Sequence, residues 1–320
     1  PPVLAVPECL YSKSVRRIAR EIGGILVGLA LGSGAALGLV HIGVLKVLEK
    51  EKIPIDFIAG TSIGAVVAAF WASGMESAEL EKVAMRFKDR KMLLSLADFS
   101  LMPLQGFLNG NNLKKLFREY LGRKTFHDTH TPLKIVANTL RSRENIIFDE
   151  GSLVDAVRAS SSIPAIIKPV RYGNDFLIDG GTFDPVPIDV LMKGGAKKII
   201  AVNCLPSQDE MKKIFDEFEQ KRRKEEAKLA NGSIFARISY NFNNWVRRTF
   251  APNVFDVMMN TSLAMQYVLA EESSREADCV IHPILTNAVW FELYKAEELI
   301  KRGEEETRRM LPQIKALIEE

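Results

Sequence analysis

The stretch from Ile22 to Leu45 carries no formal charge and is long enough for a membrane span, yet it contains Gly23, Gly24, Gly28, Gly32, Gly34, Gly38 and Gly43. A glycine inside a helix costs roughly 1 kcal/mol relative to alanine. That density disfavours a spanning helix and fits a buried strand, a glycine loop and the start of a helix. Ser14–Glu21, directly ahead, carries both charge signs, unlike the flank of a signal peptide.

The same strand-then-helix pattern recurs downstream. Ile25–Leu31, Ile53–Ala59, Leu133–Leu140, Asn145–Phe148, Phe176–Ile178, Lys198–Asn203 and Cys279–Ile281 read as strands, the third and fourth as a hairpin. Gly38–Lys50, Ile63–Ser73, Ser77–Lys88, Asn112–Leu121, Val154–Ser160 and Asp256–Glu276 read as helices, with Asn111 or Asn112 as a candidate cap. A last helix, Glu292–Ile318, is expected to be interrupted near Pro312. This alternation predicts an α/β protein, with helices on both faces of a mostly parallel sheet. Residues 1–21 read as a linker and a solvated leader helix, and 22–320 as one domain with a helical, partly amphipathic insertion at 207–250.

Composition narrows the function classes. A 47% hydrophobic and 26% charged chain is ordinary globular material. A net charge of +3 from 43 basic and 40 acidic residues argues against a nucleic-acid binder. Cys9, Cys204 and Cys279 form neither a disulfide framework nor part of a zinc cluster. A reducing, cytoplasmic setting follows as the expectation, with no metal and no cofactor. The opening Pro1-Pro2 reads as a mature form or a portion of something longer.

Three motifs carry chemistry. Gly60-Thr61-Ser62-Ile63-Gly64 fits G-x-S-x-G between a predicted strand and a predicted helix. A sharp turn there lifts the Ser62 hydroxyl clear of the backbone, and the helix N-terminus favours an oxyanion. Gly32-Ser33-Gly34-Ala35-Ala36-Leu37-Gly38 follows the first strand. It misses the dinucleotide-binding spacing by one residue, despite Asp56 further on, and reads better as a cradle of backbone N–H groups for an anion. Asp179-Gly180-Gly181 places a carboxylate at the end of a strand, where α/β sheets carry their sites.

Together these motifs resemble the patatin-like phospholipase family over roughly residues 22–310, nearest to its neuropathy-target-esterase-like lysophospholipases. Ala159-Ser160-Ser161-Ser162-Ile163-Pro164 and the region of Ile281-His282-Pro283 add to the likeness. The resemblance implies a three-layer α/β/α fold and a Ser–Asp dyad. Ser62 would be the nucleophile, Asp179 the base, and the N–H groups of Gly34 and Ala35 the oxyanion hole. Gly60 and Gly64 would form the elbow, and Gly180 and Gly181 would complete the aspartate motif. It also implies a phospholipid or lysophospholipid substrate, cleaved through an acyl-enzyme. The chain departs from the family at Ser33 and Ala35, usually glycine, and at Leu37, usually arginine. Two alternatives stand beside this reading. One is a catalytically weak patatin-fold regulatory protein. The other is a Ser62–Asp179–His282 triad, which has the chain order of α/β-hydrolases. His41 reads as a packed structural histidine, and His127 and His130 as solvated.

Lipid substrates lie in interfaces. Ala227–Phe255 has no acidic residue, and Ile234, Phe235, Ile238, Phe242, Trp245, Val246 and Phe250 share one helical face. That pattern suits peripheral membrane contact through 231–250, or a homodimer built on the same face.

Overall fold

A computed structural model describes residues 10–100, 106–214, 254–285 and 291–319, with isolated helical positions between 216 and 223. Eight strands form one sheet. They are β1 (Val27–Leu31), β2 (Phe57–Thr61), β3 (Leu133–Thr139), β4 (Asn145–Phe148), β5 (Val170–Tyr172), β6 (Asp175–Asp179), β7 (Lys198–Val202) and β8 (Cys279–Ile281). The order β3-β2-β1-β7-β8 is parallel throughout. Strands β4, β5 and β6 add an antiparallel edge. The α-helices whose full extent is described are α1 (Leu10–Ile22), α2 (Val40–Lys50), α3 (Ile63–Ala72), α4 (Ser77–Met85), α5 (Arg90–Leu96), α6 (Asn111–Leu121), α7 (Leu153–Ser160), α8 (Ile188–Lys193), α9 (Val254–Ser274) and α10 (Ala296–Glu319).

The central strands are apolar on both sides because both faces are covered. From β1, β2 and β7, Leu29, Leu31, Ile58, Ile200 and Val202 enter one core, with α2, α3, α4, α6 and α10. Their neighbours Ala30, Phe57, Ala59, Ile199 and Ala201 enter the other, against α8 and α9. The result is the expected three-layer arrangement.

Several element boundaries differ from the sequence expectation. Strand β2 starts at Phe57 rather than Ile53 and runs through Thr61. Helix α6 is not capped by Asn111 or Asn112: the Asp98 carboxylate accepts from the N–H groups of Gly110, Asn111 and Asn112. Helix α10 continues through Pro312. Helix α1 is tied to the sheet, not free. Arg20 donates to the buried Asp56 carboxylate at 2.8 Å, and Asp56 also accepts the Val27 N–H. Asp56 therefore anchors a helix rather than a ribose. Val15, Ile18 and Ile22 of α1 lie on its exposed side. Residues 208–214 are helical, whereas most of the expected insertion at 207–250, including the amphipathic stretch 231–250, lies outside the described residues.

Candidate active site

The site is built where β2 turns into α3. Ser62 sits in that turn at φ 57°, ψ −121°, a conformation that L-residues rarely adopt. Only glycine fits on either side. A Cβ on Gly64 would lie 2.1 Å from the Leu31 carbonyl oxygen, and one on Gly60 would lie 2.6 Å from the Gly64 carbonyl oxygen. The Ser62 N–H donates to Ser160 Oγ at 2.9 Å, and Ser160 donates on to the Val136 carbonyl at 2.6 Å. Ser160 is fully buried and clamps the turn to β3.

Strand register brings the carboxylate to this turn. Ile135 and Val136 of β3 pair with both β2 and β4, so those two strands lie on opposite edges of β3. Ala137 and Asn138 pair with both β4 and β6, so β6 shares the edge used by β2. Strand β2 ends at Thr61 opposite Val136, and β6 ends at Asp179 opposite Ala137. The two strands meet end to end along β3, and their next side chains meet with them. The Ser62 hydroxyl donates to Asp179 Oδ2 at 2.5 Å. The other carboxylate oxygen accepts the Gly181 N–H at 2.8 Å, so the Asp-Gly-Gly turn orients its own aspartate. Burial pushes the Asp179 carboxyl up to about 6, against the opposing effect of its bonds from Ser62 and Gly181. A carboxylate with that pKa is still mostly ionised at neutral pH, so it is available as a base, and it is better matched to take a hydroxyl proton than a solvated one.

The glycine loop completes the site. The Gly32 N–H bonds the Val202 carbonyl and the Ser33 N–H bonds the Pro185 carbonyl. The chain then turns at Gly34 (φ 157°, ψ 10°) into a short 3-10 helix over Ala35–Leu39. The N–H groups of Gly34 and Ala35 have no hydrogen-bond acceptor among the described residues, and both residues line the same pocket as Ser62 and Asp179. Ala35 has φ 50°, which costs an L-residue roughly 1–2 kcal/mol. Ala35→Gly is therefore expected to leave the melting temperature unchanged or slightly higher. A clear drop in thermal unfolding temperature would mean that the loop holds no strain there. Leu37 is buried in the main core, where it serves packing.

Two cavities meet at Ser62, sharing Ala35 and Ile163. One, of about 80 Å³, lies under α9 and is bounded by Ser33, Asp179, Met259 and Gln266. The other, of about 290 Å³, runs between α2, α3, α4 and α6 past Val67, Phe70, Leu80 and Phe117, and is almost wholly apolar. Wider clefts of about 540 and 730 Å³ flank α1 at the opposite end of the sheet, with mixed charges around them.

The histidines are occupied elsewhere. His41 is fully buried under the glycine loop and shares a 2.8 Å hydrogen bond with the Gly32 carbonyl. Burial lowers its pKa to about 4 and keeps it neutral. The ring nitrogens of His282 face the Asn203 carbonyl at 2.9 Å and Glu210 Oε2 at 3.0 Å, away from Asp179 and Ser62. This corrects the triad alternative: Glu210, not Asp179, is the carboxylate partner of His282. His127 and His130 are exposed. Among the described residues no cluster of three or more potential metal ligands occurs, and no helix is long and apolar enough to cross a membrane.

Sequence reasoning passed over three residues. Ser160 holds the elbow. Arg158 donates to the carbonyls of Asn109, Gly110 and Lys168, bracing the strap beside the site. Gln266 of α9 reaches Ser33 from 233 residues away. The run of serines at 160–162 marked the first, whereas no local pattern marked the others.

The fold and site define an α/β protein with a serine–carboxylate pair on a strand–turn–helix elbow. A family model described as patatin-like phospholipase matches residues 29–192. The chain belongs to the patatin-like phospholipase family. Lysophospholipase NTE1 of Debaryomyces hansenii is 28% identical over 297 residues, covering 90% of this chain and 18% of that protein. Neuropathy target esterase sws of Drosophila melanogaster is 32% identical over 198 residues, 61% of this chain and 14% of that one. The chain thus spans less than a fifth of the length of these relatives. Among solved structures, VipD from Legionella pneumophila is similar with a TM-score of 0.47 and 14% identity, over 90% of this chain and 66% of that one.

Proposed function

We propose that the chain is a serine acyl-hydrolase that cleaves the ester of a single-chain lipid of the lysophospholipid type. The hydrogen bond between the Ser62 hydroxyl and the buried Asp179 carboxylate carries the reading. Asp179 takes the hydroxyl proton as Ser62 attacks the ester carbonyl. The N–H groups of Gly34 and Ala35 receive the oxyanion, and the proton passes to the leaving alcohol. Water activated by Asp179 then releases the acid from the acyl-enzyme.

The cavities support the substrate class. A methylene fills about the volume of a water molecule, ~30 Å³, so the 290 Å³ cavity suits an acyl chain of roughly ten carbons within the protein. By the same measure the 80 Å³ chamber under α9 holds only about two or three carbon-sized groups next to the ester, too little for a second chain. The Debaryomyces relative, named a lysophospholipase, agrees with that class. Narrowing the apolar cavity by Ala84→Phe is expected to lower kcat/KM for a long-chain ester at least tenfold, while acetyl ester hydrolysis stays within about threefold. Equal losses on both would place the chain elsewhere.

Peripheral membrane contact belongs to the same reading. Val257, Met258, Met265, Val268 and Leu269 of α9 are exposed, fall within one arc of the helix, and adjoin the chamber that Met258 helps to line.

The deciding experiment is hydrolysis of a soluble p-nitrophenyl ester and of a lysophospholipid by wild type and by Ser62→Ala, Asp179→Asn and His282→Ala. Loss in the first two with activity retained in the third supports the dyad. Activity that survives in Ser62→Ala, or that vanishes in a folded His282→Ala, overturns it.

A further inference from the structure

Three contacts hold the peptide that precedes Gly34. The Ser33 N–H donates to the Pro185 carbonyl at 2.7 Å. The Ser33 carbonyl accepts from the Cys204 thiol at 3.0 Å. The Ser33 hydroxyl donates to the side-chain oxygen of Gln266 on α9 at 3.2 Å. This last contact is buried, with Ser33 4% and Gln266 8% exposed. The Gln266 amide nitrogen lies 3.4 Å from Ser262 Oγ, one turn back on the same helix.

The Ser33 side chain also stands against the Asp-Gly-Gly turn. A Cβ placed on Gly181 would lie 2.5 Å from Ser33 Oγ and 3.0 Å from Asp179 Oδ1. Ser33 Oγ and Asp179 Oδ1 therefore lie no more than about 5.5 Å apart, on either side of that glycine. A buried hydroxyl needs an acceptor. Gln266 supplies one, and if it were lost the charged acceptor beside the freed hydroxyl would be Asp179 Oδ1.

We propose that Gln266 is a positioning residue which, by accepting the Ser33 hydroxyl, keeps that proton off Asp179 and keeps the Gly34 and Ala35 peptides aimed into the pocket. This rests on the roles given to Ser62 and Asp179 above. A hydrogen bond donated to a carboxylate favours its charged form and weakens it as a base. The other groups that touch Asp179 are uncharged. They are the Ser62 hydroxyl at the start of α3, the Gly181 N–H, the Ser162 carbonyl that accepts the Asp179 N–H, and the apolar and amide side chains of α9. Of the titratable groups close by, the Cys204 thiol stays neutral, pushed up to about 12 by burial. Asp184, on the same turn as Asp179, is raised to about 6 by burial and is present in every variant below.

The test compares full-length wild type with Gln266→Ala, Ser33→Ala and the double variant on a soluble p-nitrophenyl ester across pH. Gln266→Ala is expected to lower kcat about tenfold with KM within about twofold, and to move the acid limb of the pH profile to lower pH. Ser33→Ala, which has no hydroxyl to turn on Asp179, is expected to keep the wild-type acid limb. The double variant is expected to behave like Ser33→Ala, because Gln266 then has nothing to hold. Multiplicative losses in the double variant, or an unmoved acid limb in Gln266→Ala, overturn the proposal. Amide hydrogen exchange over residues 32–38 gives a readout independent of turnover. It should speed up in Gln266→Ala, and unchanged exchange counts against the clasp. A wild type without Ser62-dependent hydrolysis overturns the assignment of Ser62 and Asp179 instead, and the exchange experiment then judges the clasp alone.

Discussion

Replacing Ser62 by alanine is expected to reduce ester hydrolysis by at least about 10³-fold, with the fold intact. The hydroxyl is the only atom removed, and its one side-chain bond is to Asp179. The N–H of residue 62 still reaches Ser160, so the turn stays clamped to β3. The loss should fall on kcat, because Ala35, Ile163 and the apolar cavity remain to bind the acyl chain. Mass spectrometry gives a second check. Brief incubation with an activated ester should leave an acyl adduct on wild type and none on Ser62→Ala. An adduct on another residue would reassign the nucleophile.

Asp179→Asn is expected to lose nearly as much activity and to gain stability. The carboxyl is raised from 3.8 to about 6 because it is buried. A raised acid contributes stability that is fully present below about pH 4 and is lost as pH rises through about 6. Above that, the fold carries a buried, ionised carboxylate, at a cost of order 2–3 kcal/mol from about 1.4 kcal/mol per unit. With its oxygen in place of Oδ1, an asparagine keeps the acceptor for the Gly181 N–H, and its amide nitrogen in place of Oδ2 donates to the Ser62 hydroxyl oxygen, all without the charge. The melting temperature of Asp179→Asn should therefore match wild type near pH 4 and exceed it by several degrees near pH 7 to 8. A gap that is constant with pH would mean that Asp179 does not titrate in this range. Wild-type kcat/KM should in turn rise with pH along an acid limb near 6. An acid limb near 4 would assign the base to a solvated carboxylate.

Local patterns were enough for most of the frame. Apolar runs bounded by glycine and charge located β1, β7 and β8, and the helices after the first two strands. The Gly60–Gly64 pattern located the elbow because the backbone approaches there admit no side chain. Patterns failed where distant residues act. Pro312 does not interrupt α10, and the cap of α6 comes from Asp98 rather than from its own asparagines. The leader helix looked solvated because nothing near it in sequence shows that Arg20 meets Asp56. His282 fitted a triad by chain order alone, and its place beside Glu210 depends on where β8 ends relative to β7.

The sequence by itself determined the family and the alternation of strand and helix, and it singled out Ser62, Asp179 and the Gly34–Ala35 loop as the candidates for the site. These follow from residue types that local backbone geometry demands. The tertiary structure alone decided that β2 and β6 meet end to end on β3, which sets Ser62 against Asp179 across 117 residues of chain. It alone decided the depth of burial that raises the aspartate, the apolar cavity beside it, and the reach of Gln266 to Ser33. Those properties arise from register and enclosure, to which side chains far apart in sequence contribute together, so no local pattern encodes them.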